Sequence, residues 1–221
     1  MIFCFPEIEG VIDTAIPLVN TIVIENQKLF SSMISDINGA INGWKGKTVL
    51  SANELILDMS KSAELVSTFI PFDMNRKPLL TKILTAVEKK SADAEHYMQT
   101  MKLMGDMEHY LDDLVAGFDC NLSFSKITPS SLIRAAGLEI VDDYESLAEK
   151  LIDYMELVRE FDRDKLFVTV NMRSYIDDEE TDLFMQTVIG HEYHVIMIEN
   201  HEYRRLPYEK RRIVDQDLCV F

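Results

Sequence analysis

Cysteine, glycine and proline are all scarce in this chain. Cys4, Cys120 and Cys219 are the only three cysteines in 221 residues; they are odd in number, far apart and form no C-x-x-C pair. A metal site or reactive thiol has no pattern behind it, and the three read as reduced, mostly buried small hydrophobes of a cytoplasmic protein. Eight Gly and six Pro are too few for a loop-rich all-β fold. No apolar run approaches the ~20 residues that a membrane helix needs. Met1-Ile2-Phe3-Cys4-Phe5-Pro6 offers neither a basic leader nor a long apolar run, so no signal peptide is expected. Positive charge is short as well: 22 Lys and Arg stand against 38 Asp and Glu, a net charge of −16. At first sight that excludes a polyanionic partner.

What is present belongs to an ordinary globular protein. Hydrophobic content is 47% and charged content 27%, which excludes wholesale disorder, and the length allows one or two domains. Four apolar runs have strand length: Ile2–Phe5, Thr21–Ile24, Leu166–Val170 and Val195–Ile198. The last three are almost continuously apolar, as strands buried on both faces with parallel neighbours are. Helical patterns follow or separate them, at Gln27–Ile37, Tyr144–Phe161 and Asp177–Ile189. The alternation reads as α/β.

From Pro78 to Phe118 the pattern changes. Apolar residues recur at three- and four-residue steps (Leu80, Ile83, Leu84, Val87, then Met98, Met101, Met104, Leu111, Leu114), and Lys89–Asp93 interrupts the stripe. Two helices folded back as a hairpin are expected, with the Met stripe as core or subunit contact. Charge is segregated too. Lys45–Lys102 holds nine bases and seven acids, Asp106–Glu202 holds 23 acids and seven bases, and Arg204–Arg212 holds five bases and one acid.

Motifs for chemistry fail one by one. Gly43-Trp44-Lys45-Gly46-Lys47-Thr48 ends like a phosphate loop, but position 41 is Ile, and the stretch follows a helix where a buried strand is required. Where a strand does enter a helix, Glu25-Asn26-Gln27-Lys28-Leu29 has no glycine, and Glu25 would repel a pyrophosphate. No nucleotide is therefore expected. His191-Glu192-Tyr193-His194 is one residue short of the i, i+4 zinc pair and reads as solvated histidines. No nucleophile, carboxylate pair or triad can be named, and no enzyme is expected.

Six stretches together carry a resemblance. They are Thr21–Asn26 with Phe30-Ser31-Ser32; Phe72-Asp73-Met74-Asn75; Arg134-Ala135-Ala136-Gly137-Leu138-Glu139-Ile140; Leu166–Asn171 with Asp178-Glu179-Glu180; Val195–Glu199; and Ile213-Val214-Asp215-Gln216-Asp217. In order and spacing the chain resembles the type II-A CRISPR-associated spacer-acquisition family, the non-catalytic ring subunit encoded beside the effector nuclease. The resemblance implies an α/β head (1–72 and 119–221) whose mixed, largely parallel sheet is that of a degenerate phosphate-loop ATPase core. It also implies an inserted α-helical leg (73–118). Members form homotetrameric rings that take linear double-stranded DNA by its ends through a basic channel. They work with the CRISPR adaptation integrase and the type II-A effector nuclease, with no membrane involved. In some members calcium stiffens the junction of head and leg.

Mapped onto this chain, the DNA candidates are Lys45, Lys47, Lys61, Arg76, Lys77, Lys82, Lys89 and Lys90. Such contacts go to phosphates and carry no sequence information. Arg204, Arg205, Lys210, Arg211 and Arg212, with Tyr203 and Tyr208, form an alternative basic site. For calcium the candidates are Asp73 and Asp119, which a helical hairpin would bring together, helped by Asn75 and Asn121. Calcium takes six to eight oxygens, and the plain alternative is a pair of helix-capping aspartates. Two other readings stay open: an acidic α/β protein-interaction scaffold that never touches DNA, and a cryptic nucleotide- or metal-dependent enzyme.

Overall fold

The computed structural model describes residues 1–15 and 17–221. Contacts divide the chain into an α/β unit, Met1–Phe72 with Asp143–Phe221, and a helical unit, Asp73–Asp142.

The α/β unit opens with β1 (Ile2–Cys4), β2 (Ile12–Asp13) and β3 (Val19–Ile24). All six residues of β3 are buried, as a strand covered on both faces requires. The Asn26 side chain accepts from the Leu29 amide and starts α1 (Gln27–Ile41), which buries Leu29, Met33, Ile37 and Ala40 along one stripe. Then come β4 (Val49–Ala52), β5 (Leu55–Ile56), the single turn α2 (Met59–Ser62) and β6 (Ala63–Val66). The helical unit supplies α3 (Lys77–Ser91), α4 (Tyr97–Val115) and α5 (Pro129–Ala136). The chain re-enters the α/β unit with α6 (Leu147–Phe161), β7 (Leu166–Val170), α7 (Asp178–Gly190), β8 (His194–Glu199) and β9 (Glu209–Val214).

The sequence leads to one mixed sheet; the strands instead separate by direction. β6-β7-β8-β3-β9 is a five-stranded sheet in which every neighbouring pair is parallel, and β2-β1-β4-β5 is a separate antiparallel sheet. A local cause is visible at β4 and β5. Only Asn53 and Glu54 join them, both at positive φ, and a two-residue hairpin admits antiparallel pairing alone. On the parallel sheet, Ile22, Ile24, Leu166, Val168, Ile196 and Ile198 join the core that also contains α1's buried residues and Phe3, Phe5 and Leu50. The alternate residues Val23, Phe167 and Met197 point the other way. On that side α6 and α7 pack together and α7 touches β3.

The helical unit breaks between α3 and α4, next to the Lys89–Asp93 interruption. Asp93 accepts from the amides of Glu95 and His96 between α3 and α4. Sequence reading ends the helical segment at 118, whereas the compact unit runs to Asp142. The reason is local: α5 packs on α3, the Ser130 hydroxyl donates to Glu88, and Asn75 both donates to and accepts from the Ile140 backbone (3.0 and 2.7 Å). Of the Met stripe only Met104 is buried, while Met98 and Met101 are exposed. The cysteines also depart from expectation, since Cys120 and Cys219 are exposed and Cys4 is half-buried.

Candidate nucleic-acid interface

The eight basic candidates fall on both units. Lys47 pairs with Glu7 at 2.7 Å, and Lys61 lies 3.6 Å from Asp58, the residue that caps its own helix. Arg76 and Lys82 are half-buried. Lys45, Lys77, Lys89 and Lys90 are exposed. Lys89 and Lys90 sit in the last turn of α3, where cations also complement the helix dipole. Lys82 and Lys89, seven residues apart, share one helix face.

Element by element, the charge pattern becomes sharper than in the sequence. α3 carries four bases and one acid, while α4 carries one base and four acids (Asp106, Glu108, Asp112, Asp113). α3 thus holds four of the nine bases between Lys45 and Lys102 with only one of the seven acids. In the alternative basic site near the C-terminus, Arg204 and Arg205 are exposed and Lys210 is half-buried. Arg211 is buried between Glu209 (2.7 Å) and Glu202 (2.9 Å), and Arg212 donates to the carbonyls of Glu9 and Val11. Both arginines fasten β9, Arg211 with its side chain 5% exposed and Arg212 half-buried.

The carboxyl ends of the parallel strands, where open α/β sheets bind ligands, are crossed by side chains of the chain itself. Asn26, at the place a phosphate loop would take, caps α1 and donates to the Gln216 carbonyl, and Gln216 donates back to Glu25. Arg173, in the turn after β7, is 4% exposed. It pairs with Asp178 at 2.6 Å, lies 4.0 Å from Glu209, donates to the Arg204 carbonyl and covers the Tyr203 ring. Its backbone amide donates to Glu199, a fully buried carboxyl on β8. Burial pushes the Glu199 carboxyl up to about 7, helped by the Glu209 charge and opposed by the Arg173 amide and guanidinium. Sequence reading missed this cluster, because nothing in a lone Arg or Glu announces burial.

The Gly-Lys-Thr of the abandoned phosphate loop has its own anion. The Asp36 carboxylate accepts from the amides of Lys47 and Thr48 and from the Thr48 hydroxyl. Burial alone would raise the Asp36 carboxyl, but those three donors and the Lys47 charge outweigh it and hold it below the usual range. His191 is exposed and stacked on Tyr193. His194 was expected to be solvated; it is half-buried, shares a hydrogen bond with Thr14 and is held below its usual pKa, first by burial.

The calcium candidates have these surroundings. Asp73 accepts from the Asn75 amide as a local turn, and the Asn75 side chain is occupied by Ile140. Asp119 is exposed. Among the described residues no group of three or more His, Cys, Asp or Glu is placed to hold a metal. No helix of the described residues is long and apolar enough to cross a membrane. A comparison with curated protein sequences finds no match. A family model described as CRISPR-associated protein (Cas_Csn2) matches residues 41–218, most of the chain, so the chain belongs to that family, and membership implies a role in CRISPR adaptation.

Proposed function

We propose that the chain is a non-catalytic subunit of a homotetrameric ring that binds the ends of linear double-stranded DNA during spacer acquisition in the cytoplasm. The family match supports the adaptation role. The observation that carries the DNA contact is the segregation of charge, with four bases and one acid on α3 in a chain of net −16. Four copies of such a helix around one channel concentrate a positive field that the acidic remainder does not cancel. Each contacted phosphate releases counterions, so binding is tight at low salt and independent of sequence. A closed channel admits only a duplex with a free end, which makes linear DNA the substrate without any chemical step. The absence of glycine after β3, and Asn26's use as a cap, support an ATPase-like core without its nucleotide. This reading requires neither nucleotide nor calcium, and it assigns the integrase and the effector nuclease as protein partners.

Gel shifts of linear and covalently closed circular duplexes across a salt series test it. Linear DNA is retained, circular DNA is not, and the affinity falls steeply with salt. Lys89→Glu with Lys90→Glu weakens retention of all sequences alike and lowers the salt slope by about 0.9 per lost phosphate contact. Equal retention of circles, or a monomer by sedimentation, overturns the reading. Blank shifts at low salt favour the protein-scaffold alternative.

A further inference from the structure

The turn after α1 presents the chain's only tryptophan to solvent. Trp44 is 76% exposed, an unusual place for the largest apolar side chain. Its backbone holds it there. The Gly43 amide donates to Ala40 and the Trp44 amide to Gly39 (3.1 and 2.9 Å), with Gly43 at φ +82°, a conformation that glycine adopts without strain. Gly46 lies so close to Asp36 that a Cβ there would sit 2.8 Å from the carboxylate, and Asp36 fixes the next two amides. The turn is anchored on both sides of the indole. Beside it opens a cleft of about 310 Å³ lined by Ser32, Ser35, Asp36, Gly39, Trp44 and Lys45. The Asp36 oxygens already hold three donors, so the Ser32 and Ser35 hydroxyls and the exposed Lys45 ammonium are the groups left to meet a ligand.

We propose that this cleft takes an unpaired nucleobase at or beside a DNA end, stacked on the Trp44 indole, with the flanking phosphate on Lys45. The three chemistries present match one nucleotide: a π-face for the base, hydroxyls for its polar edge and a cation for its phosphate. Bases inside a duplex are stacked on both faces, so only a terminal or unpaired base offers itself to the indole. The inference rests on the DNA-end reading and adds to it a structural reason to prefer frayed or overhanging ends.

Because Trp44 is the sole tryptophan, its emission reports this cleft alone. The full-length protein is titrated with a blunt duplex, the same duplex carrying a short single-stranded overhang, and a short single-stranded oligonucleotide, with gel shifts run in parallel. Overhang duplex and oligonucleotide are expected to quench the emission. Trp44→Ala weakens binding to the overhang duplex at least about fivefold while leaving the blunt duplex nearly unchanged, and Trp44→Phe loses less. An overhang duplex that shifts in the gel with Trp44 emission unmoved overturns the inference and leaves the DNA-end reading standing. Quenching by the oligonucleotide while no duplex binds supports the cleft and overturns the duplex reading. No response to any DNA overturns both. Emission that moves only with protein concentration gives the cleft to a second copy of the chain and overturns the proposal.

Discussion

The α/β unit and the helical unit bury different things. Nearly every fully buried apolar side chain belongs to the α/β unit, which also buries Arg173, Glu199 and Glu209. The helical unit buries Met74, Leu79 and Met104 and leaves Met98, Leu103, Tyr110, Leu114 and Phe118 exposed. Charge differs in the same direction, with 14 bases against 27 acids in the α/β unit and 8 against 11 in the helical unit. One unit is held by a core and can therefore carry a large acid surplus. The other is held by a few side chains and polar ties, and its acid surplus is smaller, with half of its cations gathered on α3.

The largest test of that contrast is Arg173→Ala. The guanidinium bridges Asp178 and faces Glu209 with its side chain 1% exposed. Removing it leaves the buried Glu209 and Glu199 with less compensation, a change that costs about 3–5 kcal/mol. Urea unfolding of the variant reads this directly. A cost below about 1 kcal/mol, the range of a surface pair, would erase the distinction between the two units.

The same cluster makes the α/β unit sensitive to pH. The Glu199 carboxyl titrates near 7 in the fold against an ordinary 4.5. Between those values the folded protein holds a proton that the unfolded chain has released, so stability falls as pH rises from about 5 to 7 and then levels. The difference corresponds to about 3 kcal/mol. His194 acts in the opposite sense, because its lowered pKa costs stability as pH falls through 6.5. Subtracting the pH profile of Glu199→Gln from that of the parent isolates the carboxyl. The difference curve is expected to slope downward from pH 5 to 7, and a flat one would show that the fold does not keep this proton.

Which parts of this were legible beforehand follows from the physics of each segment. β3, β7 and β8 are buried on both faces, so their apolar runs could be read directly, and the two long helices showed their period. β9 (Glu-Lys-Arg-Arg-Ile-Val) reads as a solvated basic patch, and only its place at the sheet edge, with Arg211 folded onto Glu209, makes it a strand. β6 has four residues, one of them Glu64, whose carboxylate accepts from the Tyr154 hydroxyl 90 residues away. No local window contains that partner. Trp44 was visible as a residue and invisible as a site, because its exposure depends on Asp36 holding the turn. Of the eight basic candidates, the sequence could not separate Lys47, paired with Glu7, from the exposed Lys45, Lys77, Lys89 and Lys90.

In the helical unit the expected costs are smaller and polar. Asn75→Ala removes both hydrogen bonds to Ile140 and leaves that backbone pair, half-buried, without its partner. About 1–2 kcal/mol is expected. Hydrogen exchange should localise the loss, with amides of α3 and α5 exchanging faster and those of β3 and β8 unchanged. Equal acceleration in both units would mean that they unfold as one, and the contrast between them would not extend to stability.

The smallest effect is expected at Leu103, and its neighbour makes it informative. Leu103 is 50% exposed on α4, whereas Met104, one residue on, is 6% exposed. If burial decides the cost, Leu103→Ala changes stability by less than about 0.5 kcal/mol, while Met104→Ala, which opens a cavity among few other core contacts, costs about 2 kcal/mol or more. Both residues share a helix and its propensity, and Ala favours a helix at either position, so the difference isolates packing. Thermal melts at several protein concentrations complete the test. A Leu103→Ala cost that depends on protein concentration would place this face of α4 against another copy of the chain, and the helical unit's thin core would then be completed by assembly.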